Sequence, residues 1–351
     1  MMIRLIPGIL LGLHFSAWAQ EPAAARTPEV QVSETPPPAK SPEPISSTES
    51  IPSIPAAVPR VILVRGADGA PEYAAKFDAG LEAWKKVSVS VGAEVTVVHG
   101  PPSAEGGNDA GRLKKILTEL PPEGGAEVWL ILMGHGTWDG KEARFNLEGP
   151  DVSAGQIAEW LKPLHRPLVV INTASGSAPF LNALAGRNRI IITATRSGSE
   201  KNYTRFGEYL AASLEDPAAD YDQDGQWSLL EWFLTASART AEFYRTEGRI
   251  ATEHPLIDDN GDGKGTPAEW FKGLKAAKKS RDNTPLDGDA AHRTWLIPDA
   301  GTRLLSVEKR AERDGLETEI AALRERKASL KEDEFYQRLE ELMRRLAAVY
   351  N

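Results

Sequence analysis

The 351-residue chain contains no cysteine. That absence excludes disulfide staples, thiolate metal centres, iron–sulfur clusters and every mechanism built on a cysteine nucleophile. A basic excess is missing as well: 41 Lys and Arg stand against 50 Asp and Glu, for a formal net charge of -9. Nucleic-acid binders show the opposite balance, so no nucleic-acid partner is expected. Long apolar runs are also absent. The longest candidate, Leu5–Phe15, is too short for a helix to cross ~30 Å of hydrocarbon. What remains is an acidic, globular chain long enough to bury a substantial core.

The N-terminus reads MMIRLIPGILLGLHFSAWAQ. Arg4 supplies a basic start, the apolar run follows, and Ala17-Trp18-Ala19 forms a small-x-small cleavage site. Residues 1–19 are therefore expected to be a cleaved signal peptide, exporting the chain to the periplasm or beyond, with no membrane span left after cleavage. Residues 20–59 read as a linker, since 10 of the chain's 25 prolines fall between positions 21 and 59. Such a composition buries too little apolar surface to offset chain entropy, so an extended, disordered tether is expected there.

From Arg60 the pattern becomes periodic. Short apolar strands are expected at 60–66, 94–98, 127–136, 167–173 and 189–195. Amphipathic helices alternate with them at 71–87, at 110–120, after a capping box at Ser153–Gln156, and near 179–184. Strands buried on both faces and separated by helices imply an α/β domain over 60–215, with a mostly parallel sheet flanked by helices. Ligands of such sheets gather beyond the carboxyl ends of the strands. Three of those ends carry chemistry: Gly134-His135-Gly136, Asn172-Thr173-Ala174-Ser175-Gly176-Ser177, and the run from Thr193 to Glu200 and Tyr203.

These three segments resemble the legumain- and caspase-like cysteine peptidases of the caspase-hemoglobinase fold. The resemblance implies that fold for the domain, His135 as the catalytic histidine, and a cleft in which Gly136, Glu200 and Tyr203 line the substrate pocket. It places the nucleophile at Thr173 or at Ser175, depending on whether Ser-Gly-Ser or Ala-Cys is aligned. Neither is a thiol, and a hydroxyl needs far stronger activation by an adjacent base. Two readings stand at this level. In one, the cleft binds a peptide or protein partner without hydrolysing it. In the other, His135 activates Thr173 or Ser175, the Gly136 amide helps form an oxyanion hole, and Asp139 orients the imidazole.

Two acidic loops follow, over 216–280. Asp220, Asp222, Asp224, Gln226, Ser228 and Glu231 occupy positions 1, 3, 5, 7, 9 and 12 of an EF-hand-type loop, with Gly225 at position 6. Asp258, Asn260, Asp262, Lys264 (through its backbone carbonyl), Thr266 and Glu269 repeat the pattern, with Gly263 at position 6. Oxygen donors at this spacing suit Ca²⁺, which takes six to eight of them. A helix is expected to continue through Trp270, Phe271 and Leu274, while Pro255 interrupts any helix entering the second loop.

Residues 281–305 read as a loop with a short apolar strand at Thr294–Pro298. Over 306–351, Leu316, Ile320, Leu323 and Leu330, then Phe335, Leu339, Leu342 and Leu346, follow helical spacing. A charged helical hairpin or coiled coil is expected, with a second capping box at Ser329–Glu332. Its leucine seam offers a route to self-association, and a third functional reading makes these helices the interacting element.

Overall fold

A computed structural model describes residues 58–101, 107–277, 286–297 and 305–350. The expected signal peptide and nearly all of the linker lie outside the described residues. No helix among the described residues is long and apolar enough to cross a membrane.

In chain order the strands are β1 (Arg60–Arg65), β2 (Glu94–Val98), β3 (Val128–Met133), β4 (Gly136–Trp138), β5 (Ala143–Phe145), β6 (Val152–Ser153), β7 (Leu168–Asn172), β8 (Arg189–Thr193), β9 (Leu256–Asp258) and β10 (Thr266–Pro267). Seven of them form one sheet in the order β10-β9-β8-β7-β3-β1-β2. The run from β2 to β8 is parallel, and β9 and β10 add antiparallel pairs at one edge. This is the α/β architecture expected from the sequence. Strands β4, β5 and β6 form a separate small antiparallel sheet.

Alternation along the strands splits the core in two. Val61 and Leu63 of β1, with Trp129 and Ile131 of β3, face α1 (Pro71–Ser90). Ile62, Val64, Leu130 and Leu132 face the other way, onto α2 (Asp109–Thr118), α3 (Ala154–Trp160) and α4 (Ala178–Leu184). The first face is completed by α5 (Phe206–Ser213) and α6 (Leu229–Thr246), whose Phe206, Leu210, Trp232 and Phe233 share its core. Trp84, Trp129 and Trp232 meet there, with ring centroids 5.8 to 6.4 Å apart. Ser153 caps α3 and Gln156 reciprocates, so the first expected capping box is present.

Three expectations are corrected. The helix foreseen after the second acidic loop is a single 3-10 turn at Ala268–Trp270, followed by the hairpin of β11 (Phe271–Lys272) and β12 (Lys275–Ala276). Gly273, with φ +60 at the hairpin tip, favours a reversal there over a continued helix. Thr294–Ile297 forms no strand. Its residues are used singly: Leu296 is buried in the core, and the Thr294 carbonyl accepts from Leu229 N at the start of α6. Before them comes α7 (Asp289–His292).

The chain ends in the helix pair α8 (Val307–Glu325) and α9 (Glu332–Val349). Leu316, Ile320, Leu323, Phe335 and Val349 are buried, with Leu342 and Leu346 against them. The third correction lies between these helices. Lys331, not Ser329, precedes α9, and its ammonium offers no acceptor to cap the helix amides, while the Ser329 hydroxyl donates back to the Arg326 carbonyl.

Candidate functional site: a strand-end cleft and two acidic loops

The strand order reverses around β1 and β3, and the crevice beyond their carboxyl ends is where a ligand fits an open parallel sheet. His135 follows β3 and stands over the turn after β1. Its Nε2 lies 3.2 Å from the Asp68 carbonyl oxygen, an acceptor, so this nitrogen carries the proton. Tyr73 and Phe77 of α1 pack edge-on against the ring, at 4.9 and 5.1 Å between centroids. Gly69 permits that approach: its φ is +67, and a Cβ there would lie 2.8 Å from Nε2.

Burial pushes the His135 pKa below its ordinary value. In the interval between the folded and unfolded values, the unfolded chain binds the extra proton. The stabilising contribution of neutral His135 is therefore full above about pH 6.5 and is lost as pH falls through the folded value. Thermal melts from pH 8 to pH 5 should show a steeper acid-side decline for the native chain than for His135→Asn. Parallel curves would contradict the assignment.

The two hydroxyls expected as nucleophile candidates are tied to backbone. Thr173 is 4% exposed, and its Oγ1 donates to the Leu132 carbonyl at 3.1 Å. Ser175 is 6% exposed; its Oγ donates to the Gly136 carbonyl at 3.0 Å and accepts from Gly136 N at 3.4 Å. His135 makes its hydrogen bond to Asp68 and none to either hydroxyl. Asp139 does not orient the imidazole. It closes its own turn through Lys141 N and Glu142 N and pairs with Arg144, contacts that hold its pKa down to about 2. A loop this short satisfies its own amides before it can reach back to His135.

Glu200 and Tyr203 hold the cleft's outer wall. The Glu200 carboxylate accepts from Arg196 N and lies 2.5 Å from His254 Nδ1, while its carbonyl accepts from Gly176 N at 2.7 Å. The loops after β7 and β8 are thereby joined. Tyr203 stacks near Tyr73 and donates to Glu208 at 2.8 Å; burial first, then that bond, keeps the phenol protonated. Beneath them sits Glu253, 2% exposed, which accepts from Arg205 N and Phe206 N at the start of α5 and from the Tyr244 hydroxyl of α6. Glu253 and His254 escaped the sequence reading because their segment matches no motif.

Both acidic loops fold alike, position by position. Backbone φ is positive at positions 4 and 6 of each: Gln223 and Gly225 in the first, Gly261 and Gly263 in the second. The position-1 carboxylate accepts from the position-6 amide (Asp220 from Gly225, Asp258 from Gly263). Position 3 accepts from the amide of position 5, and position 5 from that of position 7, in both loops. Asp220, Asp222 and Asp224 each bring a carboxylate oxygen within 4.8 Å of the others. Partial burial, then the charges of Asp222 and Asp220, push the Asp224 pKa up. Gln226 and Lys264 stand at position 7 of their loops.

The loops differ in what closes them. In the first, Ser228 and Glu231 form the capping box of α6, and Glu231 Oε1 accepts from Tyr221 N at position 2. In the second, Glu269 is exposed on the 3-10 turn and lines a pocket with His254 and Phe271. The matching carboxylate is Asp287. It accepts from Asp259 N and Asn260 N at positions 2 and 3, and from the Thr266 hydroxyl at position 9. Burial pushes its pKa up to about 7. Spacing alone could not find Asp287, which lies 21 residues beyond Thr266.

No family model and no curated protein matches the chain. Among solved structures it is similar to the crystal structure of drICE, a caspase, at 11% identity and a TM-score of 0.36, over 57% of this chain and 87% of that one.

Proposed function

We propose that this is an exported calcium-binding protein whose caspase-like α/β domain holds a peptide or protein partner without hydrolysing it. The observation that carries the reading is the shared fold of the two acidic loops, each with carboxylate or amide oxygens at positions 1, 3 and 5 turned inward along one backbone path. The donor chemistry fits a hard cation that prefers flexible oxygen cages. Asp220, Asp222 and Asp224 would hold it in the first loop, and Asp258, Asn260 and Asp262 in the second. Glu231 and Asp287 close the respective loops. When bound, calcium supplies charge that cancels the repulsion among these carboxylates and pins the segments on either side.

Those segments reach the cleft. The first loop leads into α6 and the second joins β9 to β10, and residues 249–255 between them carry Glu253 and His254 to the cleft wall. Calcium would thus set the shape of the partner site. Non-hydrolytic binding is supported by Thr173 and Ser175 bonding backbone and by His135 bonding Asp68, so that among the described residues of the cleft neither hydroxyl is paired with the imidazole as serine enzymes require. The test is turnover of a fluorogenic peptide mixture in millimolar calcium. The native chain and His135→Ala should be indistinguishable from buffer. Saturable cleavage abolished by His135→Ala would replace this reading with a hydrolase.

A further inference from the structure

Between α6, residues 251–255 and the turn and hairpin that follow the second acidic loop lies an open cavity of about 370 Å³. Small-molecule sites are commonly of this size. His135, Thr173 and Ser175 take no part in its walls, and neither does any of the residues that would hold calcium. Leu234, Ser237, Ala238 and Ala241 recur every three or four residues, so they share one face of α6. Three of the four are small, which leaves room over the helix. Ala268 and Phe271 add apolar wall from the turn and the hairpin.

Two polar groups on this apolar lining are open, and both accept. The hydroxyl protons of Ser237 and Thr240 are taken up by the Phe233 and Ala236 carbonyls. His254 is different: its Nδ1 faces the Glu200 carboxylate, so in the neutral ring Nε2 is a lone-pair acceptor, and no described residue donates to it. Glu269 is exposed and makes no ion pair among the described residues.

The neighbouring charges leave Glu269 as the one to be met. Glu253 also lines the cavity, but it accepts from two backbone amides and Tyr244, and the charge of Arg205 opposes its own. Glu200 is shared between His254 and Arg196. On α6, Arg239 pairs with Asp216 and Glu242 with Arg245. Arg249 lines a different cavity. Lys272 and Lys275 stand opposite each other in the hairpin, so alternation turns them to the face away from Phe271. The first acidic loop, which contributes Tyr221 to the wall, brings carboxylates only.

We infer that this cavity binds a small amine, one positive charge on an apolar or aromatic body, with its ammonium on the Glu269 carboxylate and His254 Nε2 and its body against α6 and the Phe271 ring. A doubly charged amine would bring a second cation with no open carboxylate to meet it. The inference goes beyond peptide binding: it uses a different surface, and its failure would leave the cleft's role untouched.

Calorimetry on the full chain, in calcium buffer, compares phenethylamine, 2-phenylethanol and 3-phenylpropionate, which share a phenyl body and differ in charge. Saturable binding of phenethylamine is expected, about fivefold tighter than that of 2-phenylethanol, since a partly exposed charge pair is worth up to about that factor. 3-Phenylpropionate, repelled by Glu269, should bind most weakly. Glu269→Gln should lower the affinity for the amine to that for the alcohol, leave the alcohol unchanged and keep the native melting temperature. Ala238→Leu, at an exposed position of α6, should fill the groove and remove binding of both. Ala241→Leu, on the same face, repeats that block if the first variant does not fold. Equal binding of amine and alcohol, or amine binding unchanged in Glu269→Gln, would overturn the amine assignment. No saturable binding of any probe, or full binding by a folded leucine variant, would overturn the site.

Discussion

Calcium added to chelator-treated protein is expected to raise its melting temperature by roughly 10 °C or more at saturation. Ligand that binds only the folded state stabilises it by about 2.7 kcal/mol per site at a hundred times Kd, and for a domain of this size each kcal/mol moves the midpoint by roughly 2–4 °C. The physical source is visible in the first loop, where three carboxylates converge within 4.8 Å and repel one another without a cation. Asp224→Ala should cut the calcium-induced shift by about half while raising the midpoint of the calcium-free chain, because it removes one repelling charge. Differential scanning calorimetry with and without chelator reads both effects. A calcium-free midpoint equal to the calcium-loaded one would show that the loops are held by their own hydrogen bonds alone.

The second large effect belongs to Glu253. Glu253→Ala would strand the amides of Arg205 and Phe206 inside the protein and leave the Tyr244 hydroxyl with Thr252 alone. Each buried donor left without an acceptor costs about 1–3 kcal/mol, so for the two amides a loss of roughly 2–6 kcal/mol is expected. Glu253→Gln keeps one carbonyl acceptor and should cost about half as much. Urea denaturation separates them: both variants should lower the midpoint, with the slope unchanged if the native state stays compact. A loss below about 1 kcal/mol for Glu253→Ala would mean that water replaces the carboxylate, and that the segment is not the rigid link between loops and cleft.

The fold was legible where burial dictated sequence. β1, β3 and β7 are sealed on both faces, which leaves a nearly unbroken apolar run for the reader to find. β9 and β10 were missed because strands of three and two residues carry no period, and their ladder depends on pairing with β8. Trp270 and Phe271 suggested a helix because aromatic residues after an acidic loop fit either structure; Phe271 instead packs against Phe233 from a hairpin.

The site divides in the same way. Positions 1 to 9 of the loops could be read, since each residue bonds within its own loop and spacing encodes geometry. Position 12 could be read only where a helix follows. Glu231 falls in the first turn of α6, but no helix brings Glu269 round, and the chain supplies Asp287 from a distant turn. In the cleft, residue identity placed His135, Thr173 and Ser175 at neighbouring strand ends. Which acceptor each hydroxyl would choose depended on the carbonyls of Leu132 and Gly136, which the sequence does not order.

Calcium binding by the two loops is read by titration calorimetry of calcium into the chelator-stripped full chain. Two binding events are expected in the native chain. Asp224→Ala should retain one of them, and Asp287→Ala should lose or markedly weaken the other. Glu269→Ala should keep both, since its exposed carboxylate lies against a different pocket. No heat of binding at millimolar calcium, with all four proteins folded, would contradict it.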